Sequence, residues 1–179
     1  ALQLAHATCP WAVTWDDHEV QNDYAADAGR GEAAGSTAFL AQRSAAWQAF
    51  YENMPLRAAS LQRPASTSGW DALQIYGRLR WGRLAHIHRL DSRQYRSWQA
   101  CRTPDASSAP AVRPADCAEL AQPQRSLLGS AQERWLDAGL AADAASAQAT
   151  RWSVIAQQTL FSPRHYPSGT VPTDAWDGY

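Results

Sequence analysis

The sequence predicts an α/β layered domain, and three observations carry that reading. Short apolar runs rich in β-branched and aromatic residues alternate with segments of helical period. Two of the apolar runs flank a tight Trp81-Gly82 turn, the pattern of a hairpin. The chain has 179 residues, enough for one domain with a core of its own.

Taken in order, Cys9 to Trp15 is a short apolar run that reads as a buried strand ending abruptly in charge. Asp23 to Gly35 is rich in Ala, Gly and Asp and reads as a loop. Ser36 caps a helix on which Phe39, Leu40, Arg43, Ala46, Trp47, Phe50 and Tyr51 recur along one face. That helix runs to about Asn53, where Met54-Pro55 stops it, because the residue before a proline is driven out of the α region. Pro64 to Gly69 is a further loop. Leu73 to Arg80 and Leu84 to Leu90 are the hairpin strands. Gln99 to Pro123 has no period, and its length marks it as a surface excursion. Ser130-Ala131-Gln132-Glu133 reads as a capping box, in which Ser130 and Glu133 satisfy each other's backbone N–H groups. The helix it opens turns Trp135, Leu136 and Leu140 inward and ends near Ala145. Trp152 to Leu160 is a last strand centred on Val154 and Ile155, and the Pro- and Gly-rich stretch from Ser162 to Tyr179 is loop. There is no internal repeat.

Composition excludes several function classes. The formal net charge is -1, so no basic footprint for nucleic acid exists. No apolar run approaches the roughly 18 residues of a membrane span. All 16 basic residues are arginine, a choice that suits oxyanions but does not by itself make a phosphate site. The 9 tryptophans are read as packing residues. Of the 3 cysteines, Cys101 and Cys117 bracket the Pro/Ala/Ser-rich excursion. A disulfide there would close the loop and imply an oxidising compartment; two unrelated thiols are the alternative. The spacings do not suit zinc.

Asp16-Asp17-His18-Glu19 is the densest chemical signal. It follows directly on an apolar run, where α/β folds place ligand-binding residues. Carboxylates crowded beside an imidazole repel one another, and a multivalent cation relieves that repulsion, since carboxylates are hard oxygen ligands and imidazole suits transition metals. Asn22 adds a neutral oxygen or a hydrogen-bond donor. The same string also reads as an acidic turn at a helix N-terminus.

Context narrows this. Trp15-Asp16-Asp17-His18-Glu19 followed by Asn22 closely resembles the W-D-D-H-E-x-x-N segment of PhoD-type alkaline phosphatases. Further segments resemble the same family in the same order: Met54-Pro55-Leu56-Arg57, Leu79-Arg80-Trp81-Gly82, Leu90-Asp91-Ser92-Arg93-Gln94-Tyr95-Arg96, Leu128-Gly129 through Gln132 to Trp135-Leu136, Ala156-Gln157-Gln158, and Asp174-Ala175-Trp176-Asp177-Gly178-Tyr179. The resemblance spans nearly the whole chain. It implies a metallophosphoesterase-like β-sandwich flanked by helices, of which residues 1–179 would be an internal and incomplete part. It also implies hydrolysis of phosphate monoesters, and of diesters, with Fe(3+) and Ca(2+), in a periplasmic or secreted setting.

By position, the resemblance makes Asp17 a metal ligand and His18 the group that stabilises the phosphoryl group or protonates the leaving oxygen. Glu19 would orient His18 or stand behind the ligands. Asp16 is a ligand-shell or structural acid, and Asn22 a further ligand. Arg93 is either a phosphate clamp, its fork matching two oxygens, or a structural partner of Asp91. Tyr95 and Arg96 read as packing and surface. His86 and His88 share a strand face, as a metal pair or as sheet histidines. His165 has no evident partner, and Trp176 and Tyr179 either wall a pocket or pack. The family's upstream bridging-aspartate turn, its iron-binding cysteine and its downstream G-D-x-H segment have no counterpart in the chain, and Cys9 is not assigned the cysteine's role. The expected function is therefore part of a phosphoesterase site. The alternatives are a non-catalytic binding module and another metal-dependent hydrolase.

Overall fold

The computed structural model describes residues 1–57, 60, 70, 73–146, 150–164 and 166–179. The predicted Pro64–Gly69 loop and His165 lie outside the described residues.

The α/β class holds. Among the described residues three helices, α1 (Leu2–Thr8), α2 (Thr37–Asn53) and α3 (Ser130–Ala145), accompany strands β1 (Gly77–Trp81), β2 (Ala85–Arg89), β3 (Ala111–Val112), β4 (Trp152–Ala156) and β5 (Val171–Pro172). The main sheet has the order β1-β2-β4. Its first pair is the expected antiparallel hairpin, with Arg78 opposite His88. Its second pair is parallel, with Ile87 opposite Val154. A parallel neighbour requires a long crossover, and here the crossover contains the whole excursion and α3. Of the sandwich implied by the family resemblance, the described residues form this sheet and a two-stranded β3–β5 ribbon.

The core forms around the predicted face of α2. Trp15, Val20, Tyr24, Phe39, Trp47, Leu73 and Ile75 are buried together, with Ala46, Phe50, Tyr51 and Leu56 packed against them. Trp15 stacks on Trp47 with ring centroids 5.2 Å apart and meets Phe50 edge-on. Ser36 caps α2 as expected, its hydroxyl accepting the Phe39 N–H.

Two local expectations fail for identifiable reasons. Cys9 to Trp15 is extended but joins no ladder; α1 precedes it, and Trp11 is exposed. Its backbone is held instead by side chains. The Gln158 amide donates to the Trp15 carbonyl at 2.8 Å, and Thr14 Oγ1 donates to the Leu90 carbonyl at 2.9 Å. The capping box at Ser130 does not form either. The residue at the cap is Gly129, with φ 74 and no side-chain cap. Glu133 turns to the Ser126 hydroxyl, which also accepts the Gly129 N–H. Glycine is required there twice over: the left-handed φ disfavours other residues, and a Cβ would sit 2.9 Å from the Tyr95 carbonyl oxygen. Helix α3 keeps its predicted bounds, but Gln132 and Gly139 are its most buried positions, with Trp135, Leu136 and Leu140 half-buried. The last strand is shorter than predicted, and Val154 and Ile155 are exposed.

The excursion is tied down by the disulfide Cys101–Cys117, with Cα atoms 6.1 Å apart. It carries β3 and two short 3-10 turns, Pro114–Asp116 and Ala118–Ala121. A bridge across 16 residues restricts the unfolded chain, and removing it as Cys101→Ser with Cys117→Ser is expected to cost about 3 kcal/mol. Chemical denaturation should register the loss, and unchanged stability would refute it.

Candidate active site

The Asp16–Asn22 segment forms a tight polar turn at the end of the Trp15 anchor. The N–H groups of Val20 and Gln21 both bond the Asp17 carbonyl, at 2.9 and 2.8 Å. Glu19 Oε2 accepts the Asp16 N–H at 2.9 Å. Glu19 therefore closes the turn through its carboxylate. Asp17 is buried, and its Oδ2 accepts the Asp23 N–H at 2.8 Å. The His18 side chain is 79% exposed. Its Nε2 lies 3.0 Å from Asn22 Oδ1 and 3.8 Å from Asp17 Oδ2. Asp17, His18 and Asn22 thus converge at the surface.

Beneath them lies a buried arginine. Arg93 is 1% exposed. Its Nε donates to Asp16 Oδ1 at 2.6 Å, its two terminal nitrogens grip Asp174 at 2.8 and 2.7 Å, and one of them also donates to the Tyr24 carbonyl. Asp17 Oδ1 stands 3.7 Å from the same guanidinium. With its donors engaged and its surface covered, Arg93 does not fit the role of phosphate clamp. Nor does its side chain pair with Asp91. The Asp91 carboxylate instead receives the Trp15 indole N–H and the backbone N–H groups of Arg93 and Gln94. Burial pushes the Asp91 carboxyl up, against those hydrogen bonds. Burial also works to lower the Arg93 pKa, but the hydrogen bond and charge of Asp174, with the charges of Asp16 and Asp17, raise it overall.

Asp174 also accepts from Arg96 at 2.6 Å and from the Gln99 amide at 2.8 Å. Arg96 was expected at the surface and is 2% exposed. Burial pushes the Asp174 carboxyl up, yet the arginines and Gln99 hold it below its ordinary value. Carboxylate repulsion, read from the sequence as a call for a cation, is thus met largely by buried arginines. Asp23 is the exception: burial, with Asp174 and Asp17 nearby, raises its pKa despite the Ala109 N–H.

A second cluster sits on the sheet. His86 Nδ1 is 2.6 Å from one Asp143 carboxylate oxygen, and His88 Nε2 is 2.8 Å from the other. Among the described residues these three are the group whose donor atoms lie close enough to hold a metal ion, within 4.8 Å of one another. Arg78 decides the chemistry. Its Nε donates to His88 Nδ1 at 3.3 Å, so the proton of neutral His88 lies on Nε2, facing Asp143. That nitrogen would have to lose its proton before it could take a metal. Gly139 makes room for Arg78, since a Cβ there would meet the guanidinium at 2.2 Å. The cluster pins α3 to the sheet, with Ser153 of β4 donating to Asp143 as well.

Burial pushes the Asp143 carboxyl up, but hydrogen bonds from His86, His88 and Ser153 hold it at about 2, below the ordinary 3.8. The stabilisation is therefore complete above the unfolded value and lost as pH falls through the folded one. The thermal midpoint should drop between about pH 4 and pH 2, and Asp143→Asn should flatten that part of the profile. An equally steep profile in the variant would overturn this.

Trp176 and Tyr179 pack. The Trp176 indole donates to Gln157, and the Tyr179 hydroxyl donates to the Ser97 carbonyl beneath Arg125. Asp174, Gln99, Gln132 and Gln158 were not singled out as individual residues in the sequence. Gln132 fastens α3 by bonding both the N–H and the carbonyl of Asp91, at 2.8 Å each. No local pattern marks such residues, because their partners lie 41 to 144 positions away.

A family model described as PhoD-like phosphatase matches residues 1–179. Alkaline phosphatase D of Bacillus subtilis (strain 168) is 41% identical over 182 residues, covering 99% of this chain and 28% of that protein. A solved structure described as "Structure of PhoD" superposes with a TM-score of 0.78 at 40% identity, covering 98% of this chain and 30% of its own. The chain thus spans less than a third of the length of these relatives. Matched from end to end by the family model, the chain belongs to the PhoD-like phosphatase family.

Proposed function

We propose that this chain supplies part of the catalytic site of a metal-dependent phosphoesterase acting on phosphate monoesters and diesters. The convergence of Asp17, His18 and Asn22 above the Arg93–Asp174 base carries the reading, together with the family match. The turn offers a hard cation one carboxylate and one amide oxygen beside His18, and the cation would need further ligands to complete its shell. Asp17 and Asn22 would hold it, with the free edge of Asp16. Iron and calcium, implied by the family resemblance, would supply an activated water and charge neutralisation.

The chain's own residues do the rest. His18 would act as imidazolium: its Nε2–H, resting on Asn22 Oδ1 before substrate arrives, passes to the leaving oxygen, His18 is left neutral with its hydrogen on Nδ1, and the proton shed by the attacking water goes to solvent. Arg93 positions Asp16 and Asp17 and touches no substrate. The disulfide supports an oxidising, extracytoplasmic setting. Among the described residues no helix is long and apolar enough to cross a membrane.

Because the chain covers 28% of its relative, the isolated 179 residues are expected to hydrolyse little. A form extended to the relatives' length should cleave p-nitrophenyl phosphate and its bis-ester, lose activity to a chelator, and regain it with iron and calcium. An extended form that cleaves neither ester, or ignores the chelator, would defeat the reading.

A further inference from the structure

Away from the acidic turn, a cleft of about 120 Å3 opens between the extended start of the chain, the segment after α2 and the sheet. Trp11, Pro55 and Leu56 form its apolar walls, and Arg57, Arg89 and Ser60 its polar lining, together with Arg78, whose guanidinium is taken up by His88 and the Trp135 carbonyl. Among the described residues that line it, none carries a carboxylate. Arg89 is half-buried and is held by its Nε donating to the Ile75 carbonyl at 2.9 Å. Among the described residues neither Arg57 nor Arg89 has an ion-pair partner. Two other arginines, the buried Arg93 and Arg96, share Asp174. Arg89 instead has Arg57 as its charged neighbour, and burial first, then the Arg57 charge, lowers its pKa.

Two guanidiniums lining one partly enclosed space repel one another, and an anion placed between them reverses that interaction. Each offers a rigid planar fork that matches the edge of a tetrahedral oxyanion. The volume far exceeds the roughly 10–15 Å3 that one water needs. Arg89 is held in place before any ligand arrives, which limits the ordering cost of binding.

We propose that the Arg57–Arg89 cleft is a binding site for an oxyanion of the phosphate class, separate from the acidic turn. The site takes one tetrahedral anion, with Arg89 as the fixed donor and Arg57 closing over it. Ser60 adds a hydroxyl at the rim.

The test is a calorimetric titration of the 179-residue chain with inorganic phosphate and with sulfate, at fixed ionic strength. Saturable binding of one anion is expected. Arg57→Gln and Arg89→Gln should each weaken it about tenfold or more, the loss of one charge-assisted contact, while His18→Ala leaves it unchanged. Arg57 is exposed, so Arg57→Gln tests the site even if Arg89→Gln does not fold. Arg57→Lys should recover part of the affinity. Absence of saturable binding would overturn the proposal. So would binding that survives Arg57→Gln at full strength but is lost in His18→Ala, which would place the anion at the acidic turn.

Discussion

Asp174→Ala is expected to destabilise the protein by about 3–5 kcal/mol, the cost of leaving buried charge without its partner. Asp174 receives both terminal nitrogens of Arg93, one of Arg96 and the Gln99 amide. Both arginine side chains are almost fully covered, at 2% and 0% exposure. Removing the carboxylate strands two cations that water cannot reach. For a chain of this size each kcal/mol moves the thermal midpoint by about 2–4 °C, so a fall of roughly 6–20 °C should be seen. The damage should spread to the acidic turn, because Arg93 also fixes Asp16. Thermal unfolding measures the first effect, and amide exchange at Asp16 to Asp23 measures the second. A loss under about 1 kcal/mol would mean the network is solvated and carries little.

His18→Ala should do the reverse, removing activity and sparing the fold. Its side chain is 79% exposed, and surface substitutions of that kind usually change stability by less than about 0.5 kcal/mol. If Nε2 supplies the proton to the leaving oxygen, kcat in a form of the relatives' length should fall by about 10²–10⁴-fold, the usual worth of general acid catalysis. The drop should be smaller for an ester whose leaving group is a weak base, such as p-nitrophenol, than for an alkyl phosphate. A variant with unaltered kcat on both esters would remove His18 from the chemistry.

The two expectations differ in how far the sequence could foresee them. His18 was legible because its neighbours in the chain are its neighbours in space: Asp17 and Asn22 lie within one turn. The same locality made α2 legible, since its cap and its apolar face follow from spacing alone. The hairpin was legible through its tight turn. The disulfide was legible because its two cysteines bracket the aperiodic excursion.

Arg93 shows where that logic ends. From sequence it was an arginine beside Asp91, equally suited to a phosphate or to an ion pair. Its partners are Asp16 and Asp174, 77 and 81 positions away, and only folding decides that its fork is filled and buried. The Cys9–Trp15 run is similar. Its composition is that of a strand, but a strand needs a partner edge; instead Gln158 bonds the Trp15 carbonyl, and the run's own Thr14 hydroxyl donates to the Leu90 carbonyl. The capping box failed by the same kind of competition, when Ser126 took Glu133.

The sequence alone therefore determined the α/β class, the capped helix α2, the hairpin, the bridged excursion and the acidic turn with its family resemblance, because each rests on contacts between residues close in the chain. Only the tertiary structure decided which charges meet. Neutralisation of Asp16, Asp17 and Asp174 by Arg93 and Arg96, and the meeting of Arg57 and Arg89 in one cleft, depend on distances across the fold that no local pattern encodes.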